Sequence, residues 1–136
     1  SFGINPKIEL SHHYGLEKMS RFGACIITVI NNSLYCKKLI ALLPKQYHPK
    51  HKHYKKVETF HLLSGDLLVI KNGQKFHMKV GDKLDIFRDE VHEFYSNAGA
   101  IFEEISTEAI PHDSKYIDPV IDRKDTISRK TFIQKI

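Results

Sequence analysis

An all-β sandwich or small barrel is the fold class that three features of this 136-residue sequence predict. From Ala24 onward short β-branched and aromatic runs follow one another, turn residues separate them at regular spacing, and helical periodicity is scarce. With 41% hydrophobic and 27% charged residues, the chain has enough apolar content for one core and too much for a disordered polymer. A single domain over 1–136 is therefore expected, with its core at about 24–107.

The elements are predicted in chain order. The first 23 residues are mixed, and LSHHYGLEKMSRFG suits a short helix or loop. ACIITVI is a β-branched strand that ends at Asn31-Asn32; CKKLIALL follows and ends before Pro44. A segment through HKHYK alternates in phase, and VETFHLLS runs to the turn at Gly65-Asp66. DLLVIK and QKFHMK flank Asn72-Gly73, a dipeptide that accepts positive φ at both central positions of a two-residue hairpin turn. KLDIFR follows Gly81-Asp82, and HEFYS and AIFEEIS flank Asn97-Ala98-Gly99. The tail from Pro111 is polar and charged, so both chain ends are expected as short extensions packed over the strands.

Charge and composition narrow the function classes. The formal charge of +5 comes from dispersed lysines and arginines with one concentration between Lys45 and Lys56. No helix-turn-helix, zinc-finger or RNP pattern accompanies it, so a basic rim around a pocket for an anionic small molecule fits better than nucleic acid. No run approaches the roughly 20 apolar residues that span a bilayer, and the first residues carry no signal-peptide pattern, which predicts a cytoplasmic protein without membrane contact. Cys25 and Cys36 lie in apolar runs without a CxxC spacing and read as buried reduced thiols. Ser1 stands where an initiator Met is expected, which suggests a piece of a longer chain.

The chemistry concentrates in HPKHKHYKKVETFHLLSG, residues 48–65. His51 and His53 are two apart and on a strand point to one face, so both imidazoles can reach one ion. Glu58 can add an oxygen ligand from the next strand, and His92 in DEVHEF can return from two hairpins away. Such nitrogen and oxygen donors suit a divalent transition metal (Mn, Zn, Fe, Ni or Co), with coordination positions left for water or substrate. His48 and His61 fail the same-face test, because Phe60 and Leu62 share the side of Glu58; they are expected behind the site or at the surface. His12, His13, His77 and His112 are expected at the surface, and the lysines between the ligands as a positive rim.

The order His51-x-His53-x4-Glu58-x6-Gly65, followed by Gly81 and His92, resembles the two sequence motifs of the cupin superfamily, whose fold is a double-stranded β-helix or small jelly roll. The first motif matches in full. The second departs from it at Phe87 and Asp89, where the pattern has Pro and Gly, and at Ser96, where it has Asn. The resemblance implies His51, His53, Glu58 and His92 as metal ligands.

A narrower resemblance lies in YCKKLIALLPKQYHPKHKHYKKVETF and FEEISTEAIPHDSKYIDP, which are similar to a sugar-isomerase-like group that includes D-lyxose isomerases. They are also similar to the cupin domain at the C-terminus of some bacterial N-acetylneuraminate (sialic acid) synthase-like proteins. The isomerase resemblance implies Glu104 and Lys38 as catalytic residues beside the metal. By phase, Lys38 lies with Ile40 and Leu42, and Glu104 with Phe102 and Ser106, so each reads either as an interior functional group or as an edge residue in solvent. A sugar or sugar acid is the expected ligand and aldose–ketose isomerisation the expected reaction, in a homodimer. The alternatives are a non-catalytic sugar-binding or dimerisation module and a metal-dependent dioxygenase.

Overall fold

The computed structural model describes residues 7–133. Its strands in chain order are β1 (Lys7–His12), β2 (Gly23–Asn31), β3 (Cys36–Leu42), β4 (Tyr47–His53), β5 (Glu58–Gly65) and β6 (Leu67–Lys71). They continue with β7 (Gln74–Met78), β8 (Lys83–Ile86), β9 (His92–Tyr95), β10 (Ala100–Ser106), β11 (Ser114–Tyr116), the one-turn helix α1 (Pro119–Asp122) and β12 (Lys130–Ile133). Seven strands form one sheet in the order β12-β1-β2-β3-β10-β5-β8, and five form a second in the order β11-β4-β9-β6-β7. Every pairing in both sheets is antiparallel.

Alternation along the strands builds the core. On β10 the residues Ala100, Phe102, Glu104 and Ser106 turn inward while Ile101 and Ile105 are exposed. Phe60 and Phe102 from the large sheet meet Phe94 from the small one, with ring centroids 5.0 to 5.6 Å apart. Ile40, Leu62, Leu67, Val69 and Ile86 complete this fully buried layer. The two sheets thus close on one apolar centre, and the polar end of the same interior holds the histidines.

Turns set the register. Asn72 and Gly73 have φ of 48° and 81°, and Lys71 pairs with Gln74 across them, as the sequence predicts. Gly65 has φ of 84° and lies so close to the next turn that an added Cβ would stand 1.9 Å from the Gly99 carbonyl oxygen. The turn before His92 forms despite its unusual residues. Asp89 takes φ of 64°, which an aspartate tolerates in place of glycine, and its N–H donates to the His53 carbonyl at 2.8 Å. The Glu90 carboxylate accepts from Phe87 N at 2.7 Å and closes the loop without a proline. At Ser96 the hydroxyl accepts from Gly99 N at 2.9 Å and donates to Asp66 at 3.2 Å, so serine does the work of the pattern's asparagine.

Both chain ends depart from expectation. Residues 7–12 form a strand, and the tail adds β11 to β4 and β12 to β1, so the ends extend sheet edges instead of lying over them. On β1 it is Glu9 and Ser11 that are buried, while Ile8 and Leu10 are half-buried. The hydrophobic alternation therefore marks the outer face, which is why it does not read as a core strand. Asp118 caps α1 by accepting from Val120 N at 2.9 Å and also accepts from the Tyr14 hydroxyl, which ties the tail to the N-terminal segment. Among the described residues both cysteines are free, Cys36 buried and Cys25 half-buried. No helix among them is long and apolar enough to cross a membrane.

Candidate metal centre

β4, β5 and β9 bring together residues far apart in sequence. His51 and His53 leave β4 on one face, and the register pairs His51 with His92 on β9. One ring nitrogen from each of His51, His53 and His92 lies within 4.8 Å of the others, all three side chains being buried. Each ring is oriented from behind. His51 Nδ1 meets the Pro49 carbonyl at 2.9 Å, His92 Nδ1 meets the Glu90 carbonyl at 2.9 Å, and His53 Nδ1 lies 3.1 Å from Ser114 Oγ. With Nδ1 engaged, Nε2 is the nitrogen left to present a lone pair.

Glu58, the first residue of β5, closes the group. Its Oε1 stands 3.0 Å from His92 Nε2 and 3.6 Å from His53 Nε2. Burial holds the His51 and His53 imidazoles neutral, lowering His53 to about 3 and His51 well below its ordinary value. Neutral rings keep the lone pairs that an ion needs. Burial also raises the Glu58 carboxyl, but the Lys56 ammonium outweighs it and holds the group well below the usual range. His92 Nε2 and both Glu58 oxygens are buried and make no aligned hydrogen bond, Glu58 Oε2 having the Lys56 ammonium at 3.1 Å as its ion-pair partner. Buried polar atoms left so are costly, and a divalent cation among them removes the cost, so the donor set fits a metal.

Lys56 is a correction to the sequence reading. Expected in the basic rim, it is instead 7% exposed, with Nζ 3.1 Å from Glu58 Oε2 and 3.1 Å from Glu104 Oε2. Its backbone N–H and that of Lys55 donate to the Asp113 carboxylate at 3.0 and 2.8 Å, which turns the side chain inward. Nothing periodic marks this stretch, because Tyr54 to Val57 lie between strands. Lys50 and Lys55 are exposed and Lys52 is half-buried.

The Glu103–Glu104 pair divides by face. Glu103 points outward to Lys37 and His61, each at 2.9 Å. Glu104 is buried, and burial followed by the Glu58 charge raises its carboxyl. Lys38 is half-buried, sits opposite Glu104 in the strand register, and lines a cavity of about 560 Å³ whose wall also includes His53 and Lys56.

Other histidines need sorting. His61 and His77 lie off the site, and His112 is exposed at the wall of the same cavity. His12 and His13 are buried, contrary to expectation, because β12 and β11 cover them: His12 Nε2 meets Thr131 Oγ1 at 2.9 Å and His13 Nε2 meets the Tyr116 hydroxyl at 3.1 Å. His48 also turns inward. An irregularity in the β4–β9 pairing between His48 and His51 resets the phase, so residues three apart share the interior. There His48 stacks on Phe94 at 4.5 Å and backs His51 at 4.6 Å.

The double-stranded β-helix of the cupins is the class that this fold defines. No protein-family model matches the chain. In sequence it is 26% identical over 145 aligned positions to a D-lyxose ketol-isomerase of a Thermofilum species, covering 86% of this chain and 80% of the relative. Among solved structures it is similar to a mutant L-ribose isomerase of an Acinetobacter species in complex with L-ribose, with a TM-score of 0.75 and 13% identity over 93% of this chain and 84% of that one. It is also similar to a cupin domain from Schizosaccharomyces pombe, with a TM-score of 0.59 and 11% identity over 63% and 65% of the two chains.

Proposed function

We propose that the protein is a divalent-metal-dependent isomerase that interconverts an aldose and a ketose, with His51, His53, Glu58 and His92 as the metal ligands. The observation that carries this reading is the adjacency of two groups: the buried donors of Glu58 and His92, which make no aligned hydrogen bond, and the buried Glu104 carboxylate joined to Glu58 through Lys56. The likeness in sequence to a D-lyxose ketol-isomerase supports it. A divalent cation held by those four side chains would supply Lewis acidity at the carbonyl end of the sugar and so make the C2–H bond more acidic.

Glu104 takes the proton from C2 and returns it to C1, while the hydroxyl proton passes from O2 to O1. A carboxyl raised by burial holds a proton better than an exposed one, which suits a carrier that must both accept and donate. Lys56 keeps Glu104 beside the metal ligands at 3.1 Å and opposes its like-charge repulsion with Glu58. Lys38, one strand away, orients the substrate oxygens and offsets negative charge that develops on them.

The test is turnover of an aldose and ketose panel by protein loaded with Mn, Co, Ni or Zn. Metal-dependent conversion is expected, with Glu104→Gln retaining metal and losing conversion. Fully loaded protein that converts no sugar in either direction would overturn the isomerase reading.

A further inference from the structure

We propose that the sugar taken by this site is anionic, and that Lys38 and Lys7 receive its carboxylate or phosphate; the inference rests on the isomerase reading above. A row of side chains running across the large sheet is its basis. The register pairs Glu104 with Lys38, Lys38 with Thr28, and Thr28 with Lys7. Residues paired in this way project to the same face, so Glu104, Lys38, Thr28 and Lys7 form one line across β10, β3, β2 and β1. Adjacent strands are about 4.8 Å apart, which places the Lys7 position roughly 10 Å beyond that of Lys38.

The parallel line two residues further along is apolar in its middle, with Ile26, Ile40 and Phe102 between Glu9 and Leu62. The polar line is therefore a local departure from the core pattern. Lys38, Thr28 and Lys7 all line the 560 Å³ cavity that reaches His53 and Lys56.

Charge at the cavity wall is unbalanced. Five lysines and arginines line it against three carboxylates. Two of the carboxylates are already engaged: Glu9 with Lys130 at 3.1 Å, and Asp113 with the backbone N–H groups of Lys55 and Lys56. The third, Glu108, is half-buried. Among the cations, Lys56 is held by Glu58 and Glu104, Lys130 by Glu9, and Arg129 lies over the Tyr116 ring and donates to the Ile121 carbonyl. Lys38 and Lys7 make no ion pair with a carboxylate among the described residues; Lys7 lies over the Phe132 ring at 4.5 Å.

Lys38 is half-buried and Lys7 exposed at the cavity's outer end, and an ammonium beside a cavity gains from an anion that enters it, the half-buried one most. A neutral pentose would leave both ammonium groups without one. A sugar acid or a sugar phosphate, bound with its carbonyl end between His53 and Glu104, carries its charge outward along the row to Lys38 and Lys7, with the Thr28 hydroxyl between them.

The test compares three probes on the metal-loaded protein: a neutral aldopentose, its 5-phosphate and an aldohexuronate. Binding is followed by calorimetry and turnover by ketose formation. One or both anionic probes should bind at least tenfold more tightly than the neutral one, with the preference shrinking as salt rises; whichever binds identifies the source of the charge. Lys7→Met should weaken the anionic probe about tenfold and leave the neutral sugar's affinity unchanged, and Lys7→Arg should restore it. Equal or tighter binding of the neutral sugar, or no binding by any probe, overturns the proposal. Turnover of only the neutral sugar would do so while leaving the isomerase reading intact. Tight anion binding that Lys7→Met weakens, without turnover of any probe, would sustain this proposal while the isomerase reading fails.

Discussion

Replacing Lys56 by methionine isolates the most exposed weakness of the site. The side chain is 7% exposed and its ammonium lies 3.1 Å from both Glu58 and Glu104, each of them almost fully buried. Methionine keeps most of the volume and removes only the charge. Two carboxylates then share one dry interior, and one of them must take up a proton. Losing one partner from a buried ionic group costs about 3–5 kcal/mol. For a domain of this size that lowers Tm by roughly 10 °C or more.

Equilibrium unfolding of protein freed of metal by chelation measures the loss, because a cation at Glu58 would mask it. The double variant Lys56→Met, Glu104→Gln removes the repulsion and should recover a large part of the stability. A single-variant loss below about 1 kcal/mol, or no recovery in the double variant, would refute the description of Lys56 as the bridge between the two carboxylates.

Three further outcomes are expected. His13 is lowered from 6.5 to about 3 by burial, so unfolding takes up a proton below 6.5; the stability it contributes is complete above that pH and is lost as pH falls toward 3. Denaturant midpoints of chelated protein should fall with acid, and His13→Gln should flatten the slope by about 1.4 kcal/mol per pH unit within that window. Phe60→Ala, at the junction of the two sheets, should cost about 3–5 kcal/mol by chemical denaturation, while Phe87→Ala, on an exposed turn, should cost under about 0.5 kcal/mol. Asp89→Gly should leave stability nearly unchanged, whereas Asp89→Val, forced to φ near 64°, should cost about 1–2 kcal/mol and disturb the turn that delivers His92.

The legible and the illegible parts of the molecule differ in what surrounds each residue. From β2 to β10 every strand except β4 packs hydrophobic residues into the apolar centre, so alternation and turn residues reveal it; Asn72-Gly73 even fixes a register. The spacing of His51 and His53 places two side chains on one face, and only local geometry is needed to see it. β1 and β12 escape notice because β12 pairs with β1 at the sheet edge and their inner face borders a polar cavity, where alternation carries the opposite meaning. The tail strand β11 is three residues long, too short for a periodic signal.

The misjudged side chains fail for similar reasons. His48 lies behind His51, one of the two places expected for it, although the β4 irregularity and not simple alternation turns it inward. His12 and His13 are covered by chain more than one hundred residues away. Lys56 is turned inward by Asp113, at a separation of 57 residues and with no strand to set its direction. Long-range closure, which a local pattern does not encode, supplies the charge that joins Glu58 to Glu104.

Metal content tests the central claim most directly. Chelated protein titrated with Mn, Co, Ni or Zn, then dialysed and analysed for bound metal, should hold one divalent ion per chain. The double variant His51→Ala, His53→Ala should hold none while retaining the far-UV spectrum of a β protein. A wild-type chain that retains none of these ions, or a double variant that retains one per chain, would contradict the account.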